Sequence, residues 1–155
     1  MQHRKISESH YTILRNDAIQ DGLDRLWNST LCAQLLRNAI QEKAIREVYS
    51  FDAKGVSKHP NHIATFLALR HLSQDPDMAS VSFYSLDSVP LVVKYVGPLS
   101  LIGKRSGCIY NSNPLLSLHA FRVYESQFTW YRVLFSLLSR YSYANCWNPV
   151  VVPPS

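Results

Sequence analysis

Apolar residues recur at helical spacing along the first half of the chain and change period near residue 80. Tyr11, Leu14 and Ala18, then Ile19, Leu23, Leu26 and Trp27, predict a helix over residues 8–27, with Asp21 one turn from Arg25 and Gly22 as its weak point. Asn28, Ser29 and Thr30 form a cluster of N-capping residues and open a second predicted helix over residues 30–49. Its apolar face is Leu31, Leu35, Leu36, Ala39, Ile40, Ala44 and Val48, and Glu42–Arg46 and Lys43–Glu47 are paired on its wet side. The short cap between the two predicts a helical hairpin. Residues 51–58 read as a loop broken by Gly55. A third helix starts around Ser57 to Pro60, carries Ile63, Phe66, Leu67 and Leu69 inward, and ends at Asp75-Pro76-Asp77.

Beyond residue 80 the pattern becomes strand-like. Residues 81–86 alternate, and 91–96 (LVVKYV), β-branched and aromatic, give the strongest strand signal in the chain. Gly97-Pro98 breaks it, residues 99–102 predict a short strand, and 103–107 a glycine-bounded hairpin tip from which 108–110 return. Asn113-Pro114 is a cap followed by a first-turn proline. Residues 116–123 fit either period; we read them as strand or irregular, with a helix following. Along that helix Tyr124, Phe128, Tyr131, Phe135 and Leu138 make one stripe, expected to be buried, while Arg122, Glu125, Thr129, Arg132, Ser136 and Ser139 or Arg140 line the opposite row. Residues 148–155 read as a proline-rich tail on a single domain spanning 1–147. The expected fold is α+β: a two- to three-helix N-terminal unit, a small, mostly antiparallel sheet, and a C-terminal aromatic helix packed on it.

Charge sharpens the contrast between the halves. From Ala79 onward there are six basic residues and two acids, with thirteen of the eighteen aromatics; before it, ten bases face nine acids. The net charge is +5, and charged residues make up 17% of the chain, below the roughly 25% of an ordinary soluble protein. Such a surface attracts anions and apolar partners. It permits nucleic acid, an anionic membrane surface or an acidic protein. The three cysteines lie far apart without a C-x-x-C, which argues against a disulfide scaffold and for a reducing compartment. The N-terminal residues lack the apolar run of a secretory signal, and no stretch reaches the length of a membrane span, so a cytoplasmic, intracellular location is expected.

Motifs for catalysis are sparse. Residues 97–106 (GPLSLIGKRS) fail as a phosphate loop: five residues separate the glycines instead of four, and Pro98 removes a backbone donor. His59 and His62 lie three apart, with His71, Asp75 and Asp77 further on; capping and surface roles are expected, and no metal is assigned. Cys108, His119 and Asp87 are the residues a nucleophilic site would need, but no nucleophile elbow accompanies them. No cofactor motif is legible and no catalytic residue is assigned. The reading reached is a non-catalytic interaction or adaptor domain, self-associating or binding an acidic or apolar partner. Its contacts would be Lys104, Arg105, Arg122, Arg132 and Arg140, with Trp130 and Tyr143 as ring anchors. The alternatives are single-stranded nucleic-acid binding, on the interleaving of bases with rings, and a small enzyme with an unrecognised Cys/His site.

Overall fold

The computed structural model describes residues 10–22, 25–103, 105–111, 113–122 and 129–150. Their order is α1 (Ser29–Glu42), β1 (Glu47–Ser50), a single distorted turn α2 (Gly55–Lys58), α3 (Pro60–Ser73), β2 (Ser82–Leu86), α4 (Leu91–Lys94), β3 (Cys108–Tyr110), α5 (Pro114–Arg122), α6 (Trp130–Leu138) and β4 (Ala144–Pro149). The fold is α+β. The sheet runs β1-β2-β4-β3, parallel between β1 and β2 and antiparallel at the other two pairings.

The core forms where α1 and α3 press against β2. Cys32, Ala33 and Ile40 of α1 meet Ala68, Leu69 and Leu72 of α3, closed by Met78 and Phe83. Asn28 caps α1 as its sequence promises, its carboxamide oxygen accepting from the amides of Thr30 and Leu31. Burial pushes the Cys32 thiol pKa up, so it stays protonated as a small apolar side chain. Arg37 on α1 pairs with Asp75 and Asp77 beyond the end of α3, and Asp75 also accepts from the Asp77 amide (2.9 Å).

Several elements differ from expectation, each for a local reason. Over its described residues, 10–22 and 25–27, the segment predicted as a helix over 8–27 is instead irregular, with a 3-10 turn at Asp17–Ile19 capped by Asn16. The Trp27 indole N–H donates to the Gln20 carbonyl (2.8 Å), and Ile19 and Trp27 lie on the core, so the apolar spacing served docking and not a helix. The second helix stops at Glu42, because Ala44 takes a φ of 50° and the Ile45 amide turns back to the Ile40 carbonyl. Its expected last turn becomes β1, and no helical hairpin forms. Residues 91–94 are helical, not a strand: Pro90 precedes them, and the Lys94 amide donates back to the Pro90 carbonyl. Residues 97–101 are a 3-10 turn. Residues 108–110 form a strand that pairs with β4 rather than in a hairpin with 99–102. Residues 114–122 resolve as helix, with the Leu115 amide donating to the Asn113 side chain. Ala144–Pro149 is an inner strand, so Asn148 and Pro149, expected to begin a tail, pair with Ser85 and Tyr84. Residues 151–155 lie outside the described residues.

Cys108 and Cys146 face each other across β3 and β4 and are joined in a disulfide, leaving Cys32 as the free thiol. Wide separation in sequence had argued against a bridge, but the antiparallel register brings the pair together.

Candidate functional site

Among the described residues, positive backbone φ angles cluster in the loop from Phe51 into α3. Gly55, Val56 and Lys58 take φ values of 56°, 62° and 62°. Positive φ is routine for glycine, while for a β-branched residue such as Val56 it is a true outlier, of order 1–3 kcal/mol. The surroundings hold it there. Asp52 accepts from the Lys54 amide (3.1 Å), the Ser88 amide (3.0 Å) and the Ser88 hydroxyl (2.6 Å). Ser88 Oγ in turn accepts from the strained Val56 amide (3.0 Å). This clasp ties the loop to the segment following β2, and Ser88 is buried within it.

The loop delivers two imidazoles side by side. The ring of His62 stacks on Phe51 (centroids 3.8 Å apart, planes at 9°), and His59 stacks on His62 (4.7 Å, 25°). His59 is the N-cap of α3, its Nδ1 accepting from the Asn61 amide (3.3 Å). That bond needs a lone pair on Nδ1, so the proton of neutral His59 sits on Nε2. His62 has the opposite arrangement: its Nδ1 lies 3.1 Å from the Gly55 carbonyl, which accepts only from an N–H. In the neutral ring this leaves the lone pair on Nε2. Between them Asn61 is 3% exposed; its Nδ2 donates to Asp21 (2.8 Å), while its Oδ1 is buried without a partner among the described residues.

Two stacked imidazoles, one with its Nδ1 accepting and the other with its Nδ1 donating, can move protons in a hydrolysis. An imidazole whose Nδ1–H is held by a main-chain carbonyl could instead ligate a metal through Nε2, a role that excludes accepting a proton at the same atom. Among the described residues no group of three His, Cys, Asp or Glu gathers in one place. The sequence displayed the i,i+3 spacing of this pair; the stacking and the opposed Nδ1 partners depend on loop geometry that spacing does not encode.

The residues singled out from the sequence do not come together. Lys104 lies outside the described residues. Arg105 is exposed on the glycine-bounded loop, and Arg122 is exposed at the end of α5. Arg132 is half-buried in a cleft of about 540 Å³ lined also by Tyr95, Tyr131, Leu134, Phe135 and Leu138, away from the histidines. Arg140 donates to Cys146 Sγ (3.3 Å). Trp130 is exposed, but Tyr143 is buried, its hydroxyl donating to the Leu137 carbonyl (2.8 Å), so it anchors the core instead of a partner. Cys108 is bridged and His119 bonds its own helix at the Leu115 carbonyl (2.8 Å), which removes the Cys/His/Asp trio as a nucleophilic site. The orientation of α6 is also reversed: Ser136 is fully buried, while Tyr131 and Phe135 of the expected inner stripe are exposed.

Comparison with known proteins bears directly on this site. The chain is 31% identical to the N-acetylglucosaminyl-phosphatidylinositol de-N-acetylase of Bos taurus, over 92% of this chain and 59% of the relative. It is 27% identical to a probable enzyme of the same name from Schizosaccharomyces pombe (88% of this chain, 59% of the relative). A third, also named as probable, from Dictyostelium discoideum, is 26% identical (90% and 68%). All three are named as enzymes. The chain thus spans 59% of the length of two of these relatives and 68% of the third. No protein-family model matches it, and no solved structure does.

These likenesses overturn the functional reading drawn from composition. Relatives over most of the chain carry the name of a de-N-acetylase, so neither the non-catalytic adaptor nor the nucleic-acid-binding reading stands, and the leaning against an enzyme is reversed. The cytoplasmic assignment falls with them, because the named substrate contains phosphatidylinositol, a membrane lipid. The low charge and the basic C-terminal half that supported those readings are real, but they describe a surface and not a reaction.

Proposed function

We propose that this chain supplies the histidine pair of an amide hydrolase that removes the acetyl group from an N-acetylglucosaminyl group attached to phosphatidylinositol. The observation that carries this reading is the stacked His59–His62 pair, with the Asn61 amide against one Nδ1 and the Gly55 carbonyl against the other, in a chain whose relatives bear that activity in their names. De-N-acetylation adds water across an amide: oxygen attacks the acetyl carbonyl carbon, the C–N bond breaks, and acetate and a free amine leave. His62 Nε2 is positioned to take the proton from the attacking water. His59 Nε2–H is positioned to give one to the departing nitrogen. Phe51 and the Gly55 carbonyl hold His62 in place, and Lys54 and Lys58 on the same loop favour an anionic substrate.

Acetate release from N-acetylglucosaminyl-phosphatidylinositol tests the reading, together with the imidazole NMR signals of the two histidines on titrating that substrate. His62→Ala and His59→Ala are each expected to lower turnover on the order of 10²–10⁴-fold, the usual contribution of a positioned acid or base. Undiminished turnover in both variants overturns the assignment. So does a substrate that is neither hydrolysed nor shifts either imidazole.

A further inference from the structure

The face built by α4, the 97–101 turn and α6 is inside out for a protein bathed in water. On α6 the small polar Ser136 is fully buried, while Trp130 is 76% exposed and Leu134 and Leu138 about half exposed. On α4, Val92 is 83% exposed, and Leu99 and Ile102 follow it into solvent. Ring contacts join its parts: Tyr95, which follows α4, meets the Phe135 ring edge-on (centroids 6.2 Å apart), Trp130 meets Tyr131 edge-on (6.0 Å), and Tyr95, Tyr131, Phe135 and Leu138 line one cleft. Contiguous apolar exposure on this scale marks a contact surface.

We infer that this face docks on the surface of a bilayer containing anionic phospholipid. Charge identifies the occupant. Lys94 sits within the patch, its ammonium 5.9 Å from the Phe135 and Tyr141 ring centres, and Arg132 lines the cleft. From Ser88 onward the chain has six cations and a single acid, Glu125. A second copy meeting this face about a two-fold axis would set Lys94 and Arg132 against their own like charges. Lipid phosphates neutralise both, while their aliphatic stems lie along the apolar surface. Among the described residues no helix is long and apolar enough to cross a membrane, and an exposed tryptophan among leucines with cations interspersed is the pattern of a segment lying in the interface. The position also suits the histidines: α4 begins three residues after Ser88, the buried serine of the Asp52–Val56 clasp.

Vesicle binding needs no turnover, so this inference stands or falls apart from the hydrolytic reading. The full chain is mixed with phosphatidylcholine vesicles with and without phosphatidylserine, separated by flotation, and followed by tryptophan emission. Binding to the anionic vesicles is expected, with a blue shift that Trp130→Ser removes. Val92→Ser and Trp130→Ser should each weaken it about tenfold or more, and Lys94→Gln and Arg132→Gln about fivefold each. Leu26→Ser, which replaces an equally exposed residue of the N-terminal segment, should leave it unchanged. These side chains face solvent, and circular dichroism of each variant confirms folding. No binding to either vesicle overturns the inference. So does binding that the face variants leave intact, or light scattering that shows a dimer which those variants dissociate.

Discussion

Gly55 shows how a single residue decides the geometry of the histidine pair. Its φ is 56°, and a Cβ placed on it would lie 3.0 Å from Ile63 Cγ1 and 3.1 Å from His62 Cβ. Gly55→Ala therefore meets both a backbone penalty and a clash at the histidine it supports. We expect a loss of roughly 1–3 kcal/mol in urea unfolding, and a shift in the His62 imidazole resonances of the folded variant. An unchanged midpoint with unmoved resonances would show that the loop does not set the ring. The sequence marked Gly55 as a breaker and showed the His59–His62 spacing, but a breaker has no direction until its neighbours are known. Asp52, Ser88 and Phe51 carried no readable signal, because their roles come from contacts between residues 36 apart, or from ring stacking across a loop. Tyr143 was misjudged for a related reason: an aromatic beside Arg140 and Tyr141 resembles an anchor on paper, and only the turn over Arg140–Ser142 rotates it inward.

Elements whose apolar face repeats cleanly and ends in a strong cap were legible. The N-cap of α1 at Asn28, the proline start of α3 and the place of β2 all appear where their residues put them, although burial along β2 does not alternate: Phe83 and Leu86 are both buried. Those governed by distant partners were not. The segment 91–94 has the composition of a buried strand, yet none of its side chains is buried and it is helical; β propensity describes fit to a pleated neighbour, and here there is none. A paired substitution separates core from surface. Leu69→Ala removes a fully buried side chain between α1 and α3 and should destabilise by about 2–5 kcal/mol. Val92→Ser, in the strongest strand signal of the sequence, should stay within about 0.5 kcal/mol. Denaturant midpoints check both, and comparable losses at the two positions would contradict the packing described.

At the scale of the whole molecule, the α+β class followed from the change of period near residue 80, while the order of strands did not, because β4 arrives from the far end of the sequence to pair with both β2 and β3. The Cys108–Cys146 bridge fixes one of those pairings over a separation of 38 residues. Reducing it, or replacing Cys108 by serine, should lower stability by roughly 2–4 kcal/mol. Unfolding curves with and without reductant measure this, and coincident curves would show that the bridge does not restrain the fold. The place of β4 has a second consequence, for synthesis. Of the four strands it is the last to leave the ribosome, so a nascent chain presents β2 with one bare edge, and β3 with no mate at all, until residue 149 itself has emerged.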